Sequence, residues 1–131
     1  MDFKKEFGTN KALEEAGVWV DIGDGAQLKI ARAGSKKALK YSREVAKPYM
    51  AQITYGKLPD DVAERLAIEV LAECILLDWK TISYDGKPLP YSKENALKLM
   101  TESEDFRDMV SRIANERKTF QQQIEEAITK N

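Results

Sequence analysis

Between Val62 and Leu77 apolar side chains recur every third or fourth residue: Val62, Leu66, Val70, Cys74 and Leu77, with Leu71 and Ile75 widening the stripe. That period places them on one face of a helix, and the face becomes wholly apolar toward its end, as in a central core helix. Pro59 and the acidic pair Asp60-Asp61 mark its start, and Asp61 and Glu64 stand at capping-box spacing. Earlier in the chain the period is two. Val18, Val20 and Ile22 alternate with Trp19 and Asp21; after Gly23-Asp24-Gly25, Leu28 and Ile30 alternate with Gln27, Lys29 and Ala31. Two such runs around a glycine-rich turn predict a β-hairpin, which needs a body to pack against.

The remaining pattern is helical. Residues 9–16 predict a short helix capped by Thr9 or Asn10 and ended by Gly17. Residues 35–55 predict a helix capped by Ser35, which Pro48 kinks or splits. A helix from Ser92 to about Met100 follows the connector DWKTISYDGKPLPYSKENA, residues 78–96. The spacing of Thr101 and Glu104 suggests a second capping box. The last helix carries a seam of Phe106, Val110, Ile113, Arg117, Phe120, Ile124 and Ala127, spaced four and three as in a heptad and interrupted by Arg117. The predicted fold class is α+β: an N-terminal β-hairpin on a mostly helical body of four to five helices, with a long C-terminal helix. One domain is expected over residues 1–131, comprising a hairpin (17–33), a helical body (35–119) and a projecting helical tail (120–131).

Composition narrows the function. The 131 residues suit one domain, and a net charge of -1 gives no global field favouring nucleic acid or an anionic membrane. No stretch is apolar for long enough to span a bilayer, and the N-terminal residues lack the apolar core of a signal peptide, so a cytosolic protein is expected. Cys74 stands alone on an apolar pattern, which predicts a buried, inert thiol. The chain has no histidine, which removes the usual general base, the usual metal ligand and every imidazole-based triad. Carboxylate chemistry would need two convergent acids in a cleft, and nothing in the sequence signals them. No cofactor, metal or catalytic residue is predicted, and the chain is expected not to be an enzyme.

The acidic loop at Asp21–Gly25 lacks the further ligands of a calcium loop, and the glycines match no phosphate-binding fingerprint. Lys29, Arg32, Lys36, Lys37, Lys40 and Arg43 cluster in sequence, but with Tyr41 as the only aromatic among them they read as a solvated face. Trp19 has two readings. It is an outward interface residue if its neighbours face the core, or it covers a helix or edge of its own domain. Ile124 and Ile128, beyond Phe120, would need a partner if the tail outruns the globule. The candidate contact residues are therefore Trp19, Arg117, Phe120, Ile124 and Ile128.

Two stretches carry a resemblance. Gly17–Gly34 reads as a Val-Trp-Val strand, a turn and an Ile-Ala-Arg strand. Leu76–Leu99 carries Trp79, Asp85-Gly86, Pro88-Leu89-Pro90, Tyr91, Ser92 and Glu94-Asn95-Ala96. In order and content these resemble the tail assembly chaperones of long-tailed (siphovirus) bacteriophages, of the HK97-like kind. The resemblance implies a non-enzymatic protein of the host cytoplasm, absent from the mature virion. It would bind the tape-measure protein and keep its apolar helices soluble before the tail tube polymerises. The tail tube protein is a further implied partner, and self-association is implied too. Such proteins are often made in two forms through a ribosomal frameshift. The terminal Thr129-Lys130-Asn131 is compatible with a slippery codon run, so the tail is expected to be the splice into a longer form. The alternative class is a structural head–tail connector or tail completion protein, also small, α+β and ring-forming.

Overall fold

The computed structural model describes residues 1–121. Its sheet is antiparallel, in the order β1–β2–β3, with β1 at Val18–Gly23, β2 at Ala26–Ile30 and β3 at Leu76–Lys80. The expected hairpin supplies β1 and β2, closed by Asp24 and Gly25, both at positive φ. The third strand differs from expectation. The core helix stops at Val70 (α5, Asp60–Val70), widens into one π-type turn over Leu71–Ile75, and the chain then runs along β2. Ile30 pairs with Leu76 and Leu28 with Trp79, the register shifting between Lys29 and Ile30. Trp79 is thus a strand residue. Ala72, Cys74, Ile75 and Leu76 of this run are buried, and at that length a buried strand and a helix end share one pattern.

Two short helices precede the sheet: α1 (Phe3–Phe7), capped by Asp2, and α2 (Lys11–Ala16), capped by Asn10. The sequence reading contains α2 but not α1. Helix α3 (Lys36–Ala46) begins at the Ser35 cap; Pro48 sits in a 3₁₀ turn, Lys47–Tyr49, that separates it from α4 (Met50–Thr54). The predicted split is therefore present. Helix α5 takes Pro59 as its cap residue, and no side-chain cap bond forms there, so the expected capping box is absent.

The connector after β3 folds as a small hairpin, β4 (Ser83–Tyr84) with β5 (Lys87–Pro88), around Asp85-Gly86. Helix α6 (Lys93–Glu102) follows, with the Ser92 hydroxyl accepting from Asn95 N–H at 3.0 Å. Helix α7 (Glu104–Asn115) is capped by Ser103, not by Thr101. It ends at Asn115: Glu116 is extended, and Arg117–Phe120 form a 3₁₀ turn. The heptad seam holds through Ile113, but Arg117 and Phe120 are not on that helix. The C-terminal helix is accordingly shorter than expected among the described residues.

The α+β architecture is as predicted. Leu28, Ile30, Leu76 and Trp79 on the inner sheet face meet Ile75, Met100 and Val110 in one core, with the π-type turn packed among α3, α6 and α7. Burial of these apolar side chains is the main favourable term, worth about 1.5–3 kcal/mol for each large one.

Candidate functional site

Helix α3 places Leu39, Ser42, Val45 and Ala46 along one side, at spacings of three, three and one, so they share a face. Helix α5 places Leu66, Ala67 and Val70 opposite them. Ala38 and Ile75 lie deeper, and Ser111 of α7 and Gly34 complete the lining. The result is an open groove of about 430 Å³. Among the described residues no ionisable side chain lines it, and the only side-chain polar groups there are the hydroxyls of Ser42 and Ser111. Charge lies outside it: Lys36, Lys40, Arg43 and Lys47 are exposed on and just after α3, and α5 starts with Asp60, Asp61 and Glu64. Leu39 is 46% exposed at the groove, and Met50 and Ile53 of α4 are exposed nearby in sequence. An apolar trough flanked by charged rims suits the apolar face of an amphipathic helix.

The candidate residues from the sequence lie elsewhere. Trp19 sits on the sheet face opposite the core, half-buried beneath lysines, with Lys80 Nζ 4.1 Å and Lys29 Nζ 6.0 Å from its ring centre. Its two readings meet: it faces outward, yet its own sheet partly covers it. It borders a second, mixed cleft shared with Asp21, Arg112, Glu116 and Lys118. Arg117 pairs with Glu6 at 3.2 Å and stacks over Phe7 at 4.6 Å, and its Nε is buried with no hydrogen-bond partner among the described residues. Phe120, expected as a contact residue, is instead fully buried beneath the Arg32 guanidinium. Its carbonyl accepts from Asn10 N–H at 3.1 Å. With the helix broken at Glu116, the chain turns the Phe120 ring inward. Ile124 and Ile128 lie outside the described residues. The structure thus brings Arg117 and Phe120 close to the N-terminal segment and leaves Trp19 on another face.

The groove residues were not singled out from the sequence. The available signal was that α3 carries more apolar positions than one buried stripe uses: Leu39 is apolar yet almost half exposed, whereas Ala38 is the one buried residue of that helix.

The Glu14 carboxyl, away from the groove, has structural partners. Burial alone would raise the Glu14 carboxyl. The Thr9 hydroxyl, the Arg32 guanidinium and the charge of Lys11 outweigh it and hold the group below its ordinary value. Arg32 NH1 lies 2.8 Å from Glu14, and the Thr9 hydroxyl donates to the same carboxylate. Burial pushes the Cys74 thiol up, in keeping with the predicted inert sulfur. Among the described residues no group of three or more His, Cys, Asp or Glu is placed to hold a metal ion. Nor, among them, is any helix long and apolar enough to cross a membrane.

The fold and groove define a small α+β protein with an apolar trough between two helices. The chain belongs to the YdaY prophage protein family, whose model matches residues 31–131, from the end of β2 onward. It is therefore a phage-derived protein. No curated protein and no solved structure matches it.

Proposed function

We propose that this protein is a non-enzymatic tail assembly chaperone that binds apolar helical segments of the phage tape-measure protein. The observation that carries the reading is the groove between α3 and α5, lined mainly by apolar side chains and, among the described residues, by no ionisable one. Membership of a prophage family and the resemblance of the 17–34 and 76–99 stretches support the same reading. The mechanism is mass action. A client helix that buries its apolar stripe in the groove is withdrawn from aggregation, in proportion to chaperone concentration over the dissociation constant. Such a complex must be reversible, because polymerisation of the tail tube has to displace the chaperone. An open trough with only two serine hydroxyls provides few directional contacts to hold the client back.

Co-expression with the tape-measure protein encoded by the same prophage tests this. The client is expected to become soluble and to co-purify, and Val45→Glu in the groove should abolish that effect. A client that stays insoluble and unbound overturns the chaperone reading. Recovery of the chain in purified particles would instead favour a connector or completion protein.

A further inference from the structure

The three-stranded sheet has two edges, and they differ. At β3 side chains fasten the edge: Tyr91 OH donates to the Leu76 carbonyl at 2.7 Å, and the Asp78 carboxylate accepts from the Trp79 N–H at 2.8 Å. The other edge is β1, which pairs with β2 alone. Its alternate N–H and C=O groups point away from β2, as in any edge strand. Among the described residues no β1 backbone group is hydrogen-bonded outside that ladder. An open cleft of about 770 Å³ follows the same edge, from Trp19–Ile22 across to α7 and the 3₁₀ turn after it. An unpaired strand edge inside a cleft is the geometry at which an extended peptide adds to a sheet.

We infer that β1 is a docking edge for an extended segment of a partner protein, one with alternating apolar and acidic side chains, added beside β1 as a further strand. Register sets its length. The bulge between Asp21 and Gly23 interrupts the ladder, so Val18–Asp21 is the regular part, about 13 Å long at strand rise. The pleat sets the alternation. On one face the incoming strand meets Val20 and Ile22 and, across the cleft, Met109 and Ile113. On the other it meets Trp19, with Lys80 and Lys29 over the ring. Charge sets the sign. Among the described residues Lys29, Lys80 and Lys118 of the cleft stand in no salt bridge, whereas Arg112 and Glu116 neutralise each other at 3.0 Å. The opposing carboxylates are Asp21, at the cleft, and Asp78, across from Lys29 and turned onto the Trp79 N–H. The ammonium groups outnumber them, which favours an acidic segment over a basic one. The cleft shares no lining residue with the α3–α5 groove, so the inference stands apart from the client reading.

A blocked octapeptide of alternating valine and glutamate, titrated into the isotope-labelled full chain and followed by nuclear magnetic resonance, is the test. It should shift the β1 amides and slow hydrogen exchange at every second one by at least about tenfold, as a new ladder does. The same peptide N-methylated at every residue keeps its side chains but offers no N–H, and should bind at least about tenfold more weakly. Lysine in place of glutamate should weaken binding several fold. So should Lys118→Glu, a change at an exposed side chain that should leave circular dichroism unaltered. No response at β1 with the peptide in millimolar excess overturns the inference, as does equal binding of the N-methylated or the lysine peptide. The protein without peptide gives a second check: its outward β1 amides should exchange as unprotected groups. Protection independent of concentration would show that the chain covers its own edge. Protection that rises with concentration would show a second copy there. Either outcome overturns a partner site.

Discussion

At the residue scale the most consequential contacts tie the N-terminal segment to the body. Glu14 is buried, holds Arg32 and accepts from Thr9, and the Arg32 N–H donates to the Glu14 carbonyl at 2.8 Å. A carboxyl held below its ordinary 4.5 stabilises the fold at neutral pH. That stabilisation begins to fade as pH drops past 4.5 and is lost once pH passes through the lower folded value. Glu14→Gln should therefore cost about 2 kcal/mol at pH 7 in urea denaturation and flatten the acid limb of the stability profile. An acid limb of unchanged slope would show that Glu14 is not the group responsible. Gly17 is a second sensitive point. Its φ is 92°, and an added Cβ would meet Leu77 Cδ1 at 3.0 Å and Lys29 Cγ at 3.1 Å. Gly17→Ala should lower stability by more than about 1 kcal/mol, chiefly through backbone conformation, because both neighbours are movable side chains. Phe120→Ala should cost about 3–5 kcal/mol in the same assay, the range for emptying a buried aromatic site. A loss below 1 kcal/mol would mean that the ring is not core.

At the element scale the connector between β3 and α6 is where sequence and structure agree most closely. Asp85-Gly86 makes the turn, Ser92 caps α6, and Asn95 Nδ2 donates to the Pro90 carbonyl at 2.9 Å. The return path is fastened by two aromatic donors. Trp79 Nε1 donates to the Leu89 carbonyl and Tyr91 OH to the Leu76 carbonyl, at 2.8 and 2.7 Å, with the two rings edge to face. Tyr91→Phe keeps the ring and removes one bond, so a loss near 1 kcal/mol is expected, and Trp79→Ala should cost several times more. Equal losses would show that packing does not dominate there. Prolines, glycine and caps act locally, which is why this segment was legible. The strand at its start was not, because the choice of β3 over continued helix depends on a distant partner, the edge of β2. The end of α7 was hidden for a similar reason. Nothing in Asn115-Glu116-Arg117 is a strong breaker, and the turn is secured by contacts to Glu6, Phe7 and Asn10, more than a hundred residues earlier in the chain.

At the scale of the whole molecule the groove between α3 and α5 is an apolar surface left open by the described residues. A peptide carrying an apolar stripe of the tape-measure protein is expected to bind the wild type in isothermal titration calorimetry and to bind the Leu39→Glu variant at least tenfold more weakly. Equal binding to both would place the client on another surface. The candidate residues chosen from the sequence fared unevenly as a surface. Trp19 faces outward, Arg117 is occupied by Glu6 and Phe7, and Phe120 is core.

The sequence by itself determined the α+β class, the hairpin, the helix starts at Asn10, Ser35 and Ser92, the break at Pro48 and the buried thiol of Cys74. Each depends on a local period, a cap or a backbone restriction that acts within a few residues. The tertiary structure alone decided that Leu76–Lys80 is a strand, that Phe120 turns inward and that Leu39 and Val45 line an open trough. Those outcomes are set by which distant surface an apolar side chain meets, and a pattern of hydrophobic positions shows only that such a surface is needed.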